Sequence, residues 1–189
     1  RNSILASSLP ESVPGTSVDR QCGSSQQALH FAAQAVMSGT QDVVIAGGVE
    51  VMSLVPIGAS VKDGYDAGHG FPFNALGIES RYPGVFFSQF TGAELVAKKW
   101  NLSREDLDNF ALSSHKKAAY ATEQGFFNKE ILAIQSKSDA NTGLLIHQDE
   151  GIRYDASIEA LSGLKTVIED GLITAGNASQ ITDGASAIM

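Results

Sequence analysis

A chain of 189 residues suffices for one large domain or two small ones, and an apolar content of 43% can bury a core. Thirteen Lys and Arg against 21 Asp and Glu give a formal charge of −8 with no basic block to follow a phosphate backbone, so nucleic acid is not an expected partner. The single cysteine excludes an internal disulfide and gives no support for a zinc cluster, and no run reaches membrane-spanning length; a soluble, cytoplasmic protein without a membrane partner is expected.

In chain order, Pro10 and Pro14 predict that residues 1–15 form a loop, and the sequence opens without a charged-then-apolar targeting segment. A short β-branched strand is expected from Val13 to Arg20, and Leu29, Ala32, Ala33, Val36 and Met37 mark a helix over Gln26 to Met37. Cys22 then falls at a strand-to-helix junction. Gly23, Ser24 and Ser25 after it are small enough for a ligand to approach the backbone, and the serine hydroxyls can accept from the open N–H groups of a first helical turn. Those groups and the helix dipole favour negative charge, and thiolate is the nucleophilic form of cysteine. From the residues alone Cys22 is equally readable as a buried structural thiol. Gly39 closes the helix, and Val43 to Ala46 reads as a buried parallel strand. If the helix begins at Cys22, His30 lies about 12 Å along it, out of reach of the sulfur, and is a packing or subunit-contact residue.

Between Ser53 and Tyr82 regular periodicity gives way to Gly, Pro, Asp and aromatic residues, which predicts a long functional loop or an excursion into a separate subdomain, with His69 exposed in it. Ala93, Val96, Ala97 and Trp100 give a helical pattern. Ser103 with a carboxylate three residues on reads as the cap of a further helix, apolar along Leu107, Phe110, Ala111, Ala118 and Ala121 and ending at Gly125. Glu105, Asp106 and Asp108 suit the dipole at its start. Ile131 to Ile134 and Leu144 to Ile146 are candidate short strands around a Ser, Asp and Asn turn. His147 among Gln148, Asp149 and Glu150 matches no common metal template, and no metal site is expected. Ala185 to Met189 reads as another buried strand.

Three stretches carry a family resemblance. Asp19-Arg-Gln-Cys-Gly-Ser-Ser-Gln-Gln-Ala resembles the nucleophile motif of thiolases, the enzymes that make or cleave 3-ketoacyl-CoA. Ala46-Gly-Gly-Val-Glu-Val-Met-Ser resembles the strand and turn that follow it, and Thr174-Ala-Gly-Asn-Ala-Ser-Gln-Ile-Thr-Asp-Gly-Ala-Ser-Ala a third signature. The resemblance implies an α/β, layered thiolase-like fold: a partial N-terminal βαβ domain over 1–53 and 180–189, with an inserted loop domain over 54–179 that covers the coenzyme A site. It also implies that the closing C-terminal domain is absent, because no Gly-His-Pro histidine and no second cysteine occur in these residues.

By that resemblance Cys22 is the nucleophile, Arg153 in Asp149-Glu-Gly-Ile-Arg153 faces the nucleotide end of coenzyme A, and Ala175 and Ser179 contact its pantetheine. A family serine seven residues past the arginine is Ala160 here, and Phe87-Ser-Gln-Phe-Thr-Gly stands where many relatives carry Met-Gly or His-Met, which alters the acyl pocket. The implied chemistry is acyl transfer between 3-ketoacyl-CoA and CoA in fatty-acid or steroid side-chain degradation, without a covalently bound cofactor, by a homodimer or homotetramer, and without turnover by these residues alone. Alternatives are a ketoacyl-synthase-like condensing enzyme, a non-catalytic acyl-CoA or lipid binding module, and a flavodoxin-like domain with a buried thiol.

Overall fold

The computed structural model describes residues 1–136 and 143–189. The chain forms two compact units, Arg1–Ile57 with Ile181–Met189, and Gly58–Gln180.

The first unit contains α1 (Asn2–Leu5), α2 (Ser24–Met37), β1 (Ala46–Val51) and β4 (Asp183–Ile188). β1 and β4 pair antiparallel, from Ala46 opposite Ile188 to Val51 opposite Asp183. Just past the ladder, Ser53 donates from its backbone N at 2.9 Å and its hydroxyl at 2.5 Å to the two carboxylate oxygens of Asp183. α2 packs on β1. Gly48 permits this, because a Cβ there would run into the Ser25 hydroxyl and lie 3.3 Å from the Ser25 Cβ.

Four expectations change in this unit. Residues 1–15 hold a helical turn, α1, besides loop. Val13 to Arg20 is not a strand, and the chain enters the Cys22 turn as irregular backbone. Val43 and Ile45, expected in a buried parallel strand, are 72% and 53% exposed; the strand starts at Ala46 and is antiparallel. Its ladder begins where Ala46 meets Ile188, so the β-branched residues before Ala46 have no pairing partner, and propensity alone does not order a strand. The strand at Ala185 is β4, and it is exposed along its whole length.

In the second unit the stretch expected as loop contains α3 (Ala59–Gly64), running on into a wide turn at Tyr65–His69, a tight turn at Pro72–Asn74 and α4 (Leu76–Arg81). Tyr65 on Phe71, Phe73 on Phe87 and Tyr82 on Phe87 pack these turns, so the aromatics that hid any periodicity are what hold the segment. α5 (Gln89–Lys99) and α6 (Arg104–Glu123) lie where the spacing predicts helices. At the start of α6 the Ser103 hydroxyl accepts from Asp106 N at 3.1 Å, while Asp106 Oδ2 accepts from Ser103 N at 2.8 Å and from its hydroxyl at 2.6 Å, a complete capping box. The face differs from expectation: Phe110 is 80% exposed, and Asp108, read as a dipole-facing acid, is 1% exposed. β2 (Ile134–Gln135) and β3 (Leu145–Ile146) pair antiparallel; the Ser, Asp and Asn turn expected between them lies outside the described residues. α7 (Ile158–Ser162) completes this unit.

Hydrogen bonds from Ser103 and from Ser53 lower the Asp106 and Asp183 carboxyls below 3.8. A carboxyl lowered in the folded state contributes stability that is whole above its unfolded value and is lost as pH falls through the folded one. Asp106→Asn and Asp183→Asn are therefore expected to be less stable than the parent at pH 7. The gap should close on acidification below 3.8, as followed by urea unfolding at stepped pH.

Candidate functional site

Cys22 is exposed and sits two residues ahead of α2, in a four-residue turn closed by Gly23 N donating to Arg20 O at 2.7 Å. Its φ is +62°, at the third position of that turn, where glycine or asparagine is the usual occupant. The turn is clamped on both sides. Arg20 N donates to the Ser24 hydroxyl at 2.9 Å, and the Arg20 guanidinium donates to Gln27 Oε1 at 2.8 Å. Ser24 thus caps backward onto Arg20 and not onto the helix, contrary to the expected use of its hydroxyl. The N-cap residue is Gly23, and α2 has no side-chain cap. No hydroxyl or carboxylate therefore caps the amino end of the helix, and the positive end of its dipole lies beside the sulfur-bearing turn. Gly39, with φ +70°, follows the last turn of α2 as expected. His30 is exposed on α2.

Arg153, Ala175 and Ser179 belong to the second unit, and all three are exposed. Gln180 Nε2 donates to Gly151 O at 2.6 Å, so the segment carrying Ser179 is tied to the segment carrying Arg153. Arg153 N donates to His115 Nδ1 at 3.1 Å. Nδ1 is the acceptor in this contact. His115 was not singled out by sequence. Its partner lies 38 residues away, and no local pattern signals the pair. Ala160 is on α7, where its N–H donates to the Ser157 hydroxyl at 3.2 Å.

The Thr174–Ser179 segment rests on a buried polar network. Asn177 Oδ1 accepts from Thr174 N at 2.8 Å, and Asn177 Nδ2 donates to Asp108 Oδ1 at 2.9 Å and to Leu172 O at 3.1 Å. Asp108 Oδ2 accepts from Arg104 Nε at 2.7 Å, and Arg104 Nη2 donates to Leu161 O at 2.6 Å and Leu164 O at 3.1 Å. Glu94 Oε1 accepts from Leu172 N and Ile173 N, both at 2.8 Å. Gly176 is required by packing: a Cβ there would fall 2.5 Å from Leu161 Cδ2 and 2.6 Å from Leu164 Cδ1.

An open groove of about 710 Å³ lies between α5 and residues 168–172, and a second of about 420 Å³ runs along α6; neither is lined by Arg153, Ala175 or Ser179. Among the described residues no cluster of three or more His, Cys, Asp or Glu side chains could hold a metal ion, and no helix is long and apolar enough to cross a membrane.

The family model for the N-terminal domain of thiolases matches residues 1–189. The chain belongs to the thiolase family. A steroid 3-ketoacyl-CoA thiolase of Mycobacterium tuberculosis is 47% identical over the whole chain, which covers 45% of that relative, and an acetyl-CoA acetyltransferase of Chromobacterium violaceum is 38% identical, with 49% covered. Among solved structures, the dimeric peroxisomal thiolase of Saccharomyces cerevisiae superposes with a TM-score of 0.79 at 30% identity over 98% of this chain and 45% of its own. The chain thus spans about half the length of the thiolases it matches, and its fold is the α/β fold of their N-terminal part.

Proposed function

We propose that the protein is an acyl-CoA thiolase in which Cys22 is the nucleophile. The observation that carries this reading is the exposed Cys22 at positive φ, clamped immediately ahead of α2, in a chain whose family is the thiolases. In the degradative direction the thiolate attacks the 3-keto carbon of a 3-ketoacyl-CoA. An S–C bond forms, the bond between the second and third acyl carbons breaks, and the displaced carbanion of acetyl-CoA takes up a proton. Coenzyme A then removes the acyl group from sulfur as a new acyl-CoA, and the thiolate returns. The Cys22 N–H is one donor for the oxyanion that forms at the attacked carbon. The histidine and the second cysteine that move protons in this family have no counterpart in these 189 residues.

Arg153, Ala175 and Ser179 are the coenzyme A contacts in this reading: a guanidinium for the phosphorylated nucleotide end, and a small residue and a hydroxyl for the pantetheine. Their support is their exposure together with the Gln180–Gly151 tie. Residues 1–53 and 180–189 belong to the N-terminal domain, and 54–179 are the loop domain over the coenzyme A site, a division close to the two compact units. Coenzyme A and acyl-CoA are substrates, with no covalently bound cofactor. The assembly is a cytoplasmic homodimer or homotetramer, for which the dimeric yeast structure is support. The substrate is a fatty-acid or steroid side-chain 3-ketoacyl-CoA; the steroid reading is favoured by 47% identity to a steroid thiolase against 37% to 41% to several 3-ketoacyl-CoA thiolases.

Incubation with acetyl-CoA followed by peptide mass spectrometry is expected to place an acetyl group on Cys22. A chain that binds acetyl-CoA yet stays unmodified would be an acyl-CoA binding module and would overturn the reading.

A further inference from the structure

We infer that Asp108 and Asn177 are positioning residues for the pantetheine of coenzyme A: a buried carboxylate on α6 holds the Asn177 side chain, which folds residues 174–179 so that Ala175 and Ser179 face outward. This deepens the proposed function and rests on its assignment of those two residues.

Thr174 is fully buried, whereas Ala175 and Ser179 are exposed. Asn177 lies between the two exposed residues and its whole amide is bonded: Oδ1 takes Thr174 N within the segment, and Nδ2 is shared between Asp108 Oδ1 on α6 and Leu172 O just before the segment. Thr174 O in turn accepts from Ala178 N at 2.9 Å and Asn177 N at 3.3 Å, which closes the turn. One side chain thus joins the turn that presents both contacts to α6 and to Leu172.

Asp108 is what holds that side chain. It is 1% exposed, and each of its oxygens is committed, Oδ2 to Arg104 and Oδ1 to Asn177. A buried carboxylate is a demanding component, because removing either partner leaves a charge without compensation. A segment needing only to be folded could be packed with apolar side chains at lower cost. A charge-assisted bond instead fixes the Asn177 amide in one orientation, since only its NH₂ side can face the carboxylate. Arg104 extends the connection to Leu161 O and Leu164 O, and the Leu161 and Leu164 side chains press on Gly176 in the middle of the same turn. The turn is thereby braced from two directions by the same Arg–Asp pair. Arg153 lies outside this network; its backbone is held by His115.

The readout that separates positioning from mere folding is a ratio. Affinity for coenzyme A is compared, on the same sample, with affinity for 3′-phosphoadenosine 5′-diphosphate, the nucleotide end without pantetheine. Unfolded protein lowers both signals alike and leaves the ratio of dissociation constants unchanged. Asn177→Ala, Asn177→Asp and Asp108→Asn, titrated calorimetrically, are expected to weaken coenzyme A binding about tenfold while nucleotide binding stays within about twofold. Asn177→Asp keeps the shape but sets a second carboxylate against Asp108. Equal weakening of both ligands, or of neither, would overturn the inference. Ala175→Phe tests the underlying assignment. If it obstructs coenzyme A while the three network variants leave the ratio unchanged, only the inference fails. If it leaves coenzyme A binding intact, or the parent chain binds none, the assignment of the contacts fails and the inference with it.

Discussion

Replacing Cys22 by glycine is expected to abolish acetyl transfer from acetyl-CoA and at the same time to leave the fold as stable as the parent or more so. The two halves of this expectation have separate causes. Loss of transfer follows from the chemistry: the sulfur is the only thiol in the sequence and carries the acyl group in the proposed reaction. The gain in stability follows from the backbone. Cys22 has a φ of +62°, a region that costs a residue with a Cβ on the order of 1 kcal/mol and costs glycine almost nothing. Glycine also raises the entropy of the unfolded chain, which offsets part of that relief. Cys22→Ala separates the terms. It removes the sulfur and keeps the strained φ, so it should be equally inactive and not stabilised. The checks are acetyl incorporation by mass spectrometry and urea midpoints for the parent and both variants. If Cys22→Gly were clearly less stable than Cys22→Ala, the positive φ would not be a source of strain. Retained acetyl transfer in either variant would remove Cys22 from the reaction. A protein keeps such a conformation at a given site only if the surroundings over-determine it, and here they do, through the Arg20–Ser24 and Arg20–Gln27 bonds.

How far the sequence exposes this site depends on how far each partner lies along the chain. The helix after Cys22, the glycine that ends it and the Ser103 capping box depend on residues within four positions of one another, and all are readable as local chemistry. The pairing of β1 with β4 joins Gly48 to Ser186, and Ser53 to Asp183 spans 130 residues; nothing near Val43 to Ile45 says that the ladder begins only at Ala46. Asp108 shows the same limit in electrostatics. Beside Glu105 and Asp106 it reads as one more acid at a helix start, and its burial depends on Asn177, 69 residues later. The family resemblance assigns Ala175 and Ser179, both exposed, as contacts, and gives no reason for the asparagine between them. That reason is a hydrogen bond to another part of the fold, and a motif read along the chain does not contain it.

The second large effect is expected at Gly48, which touches no substrate in the proposed reaction. A methyl group on Gly48 would collide with the Ser25 hydroxyl and come within 3.3 Å of the Ser25 Cβ. Ser25 belongs to the first turn of α2, three residues past Cys22; a change of its χ1 can swing the hydroxyl away, but its Cβ at 3.3 Å is fixed to the helix backbone, so the remaining tight contact presses on β1 or on the amino end of the helix. β1 is held by its ladder with β4 and by the Ser53–Asp183 bonds beyond it, so the helix end is the part that yields. The Arg20–Ser24 bond, one residue before Ser25, then transmits the displacement to the turn that presents the sulfur. Gly48→Ala is therefore expected to cost about 1–3 kcal/mol of stability, the range for overpacking, and to slow acetylation of Cys22 roughly tenfold or more. Ser25→Gly removes both clashing atoms, so the double variant Gly48→Ala with Ser25→Gly should recover most of the acetylation rate, although Ser25→Gly alone gains nothing. Non-additivity of that kind is the signature of a direct steric contact, and a double-mutant cycle on stability and on rate measures it. Additive losses would mean that Gly48 acts on the strand and not through Ser25. A Gly48→Ala protein acetylated at the parent rate would show that the position of Cys22 does not depend on the spacing between α2 and β1.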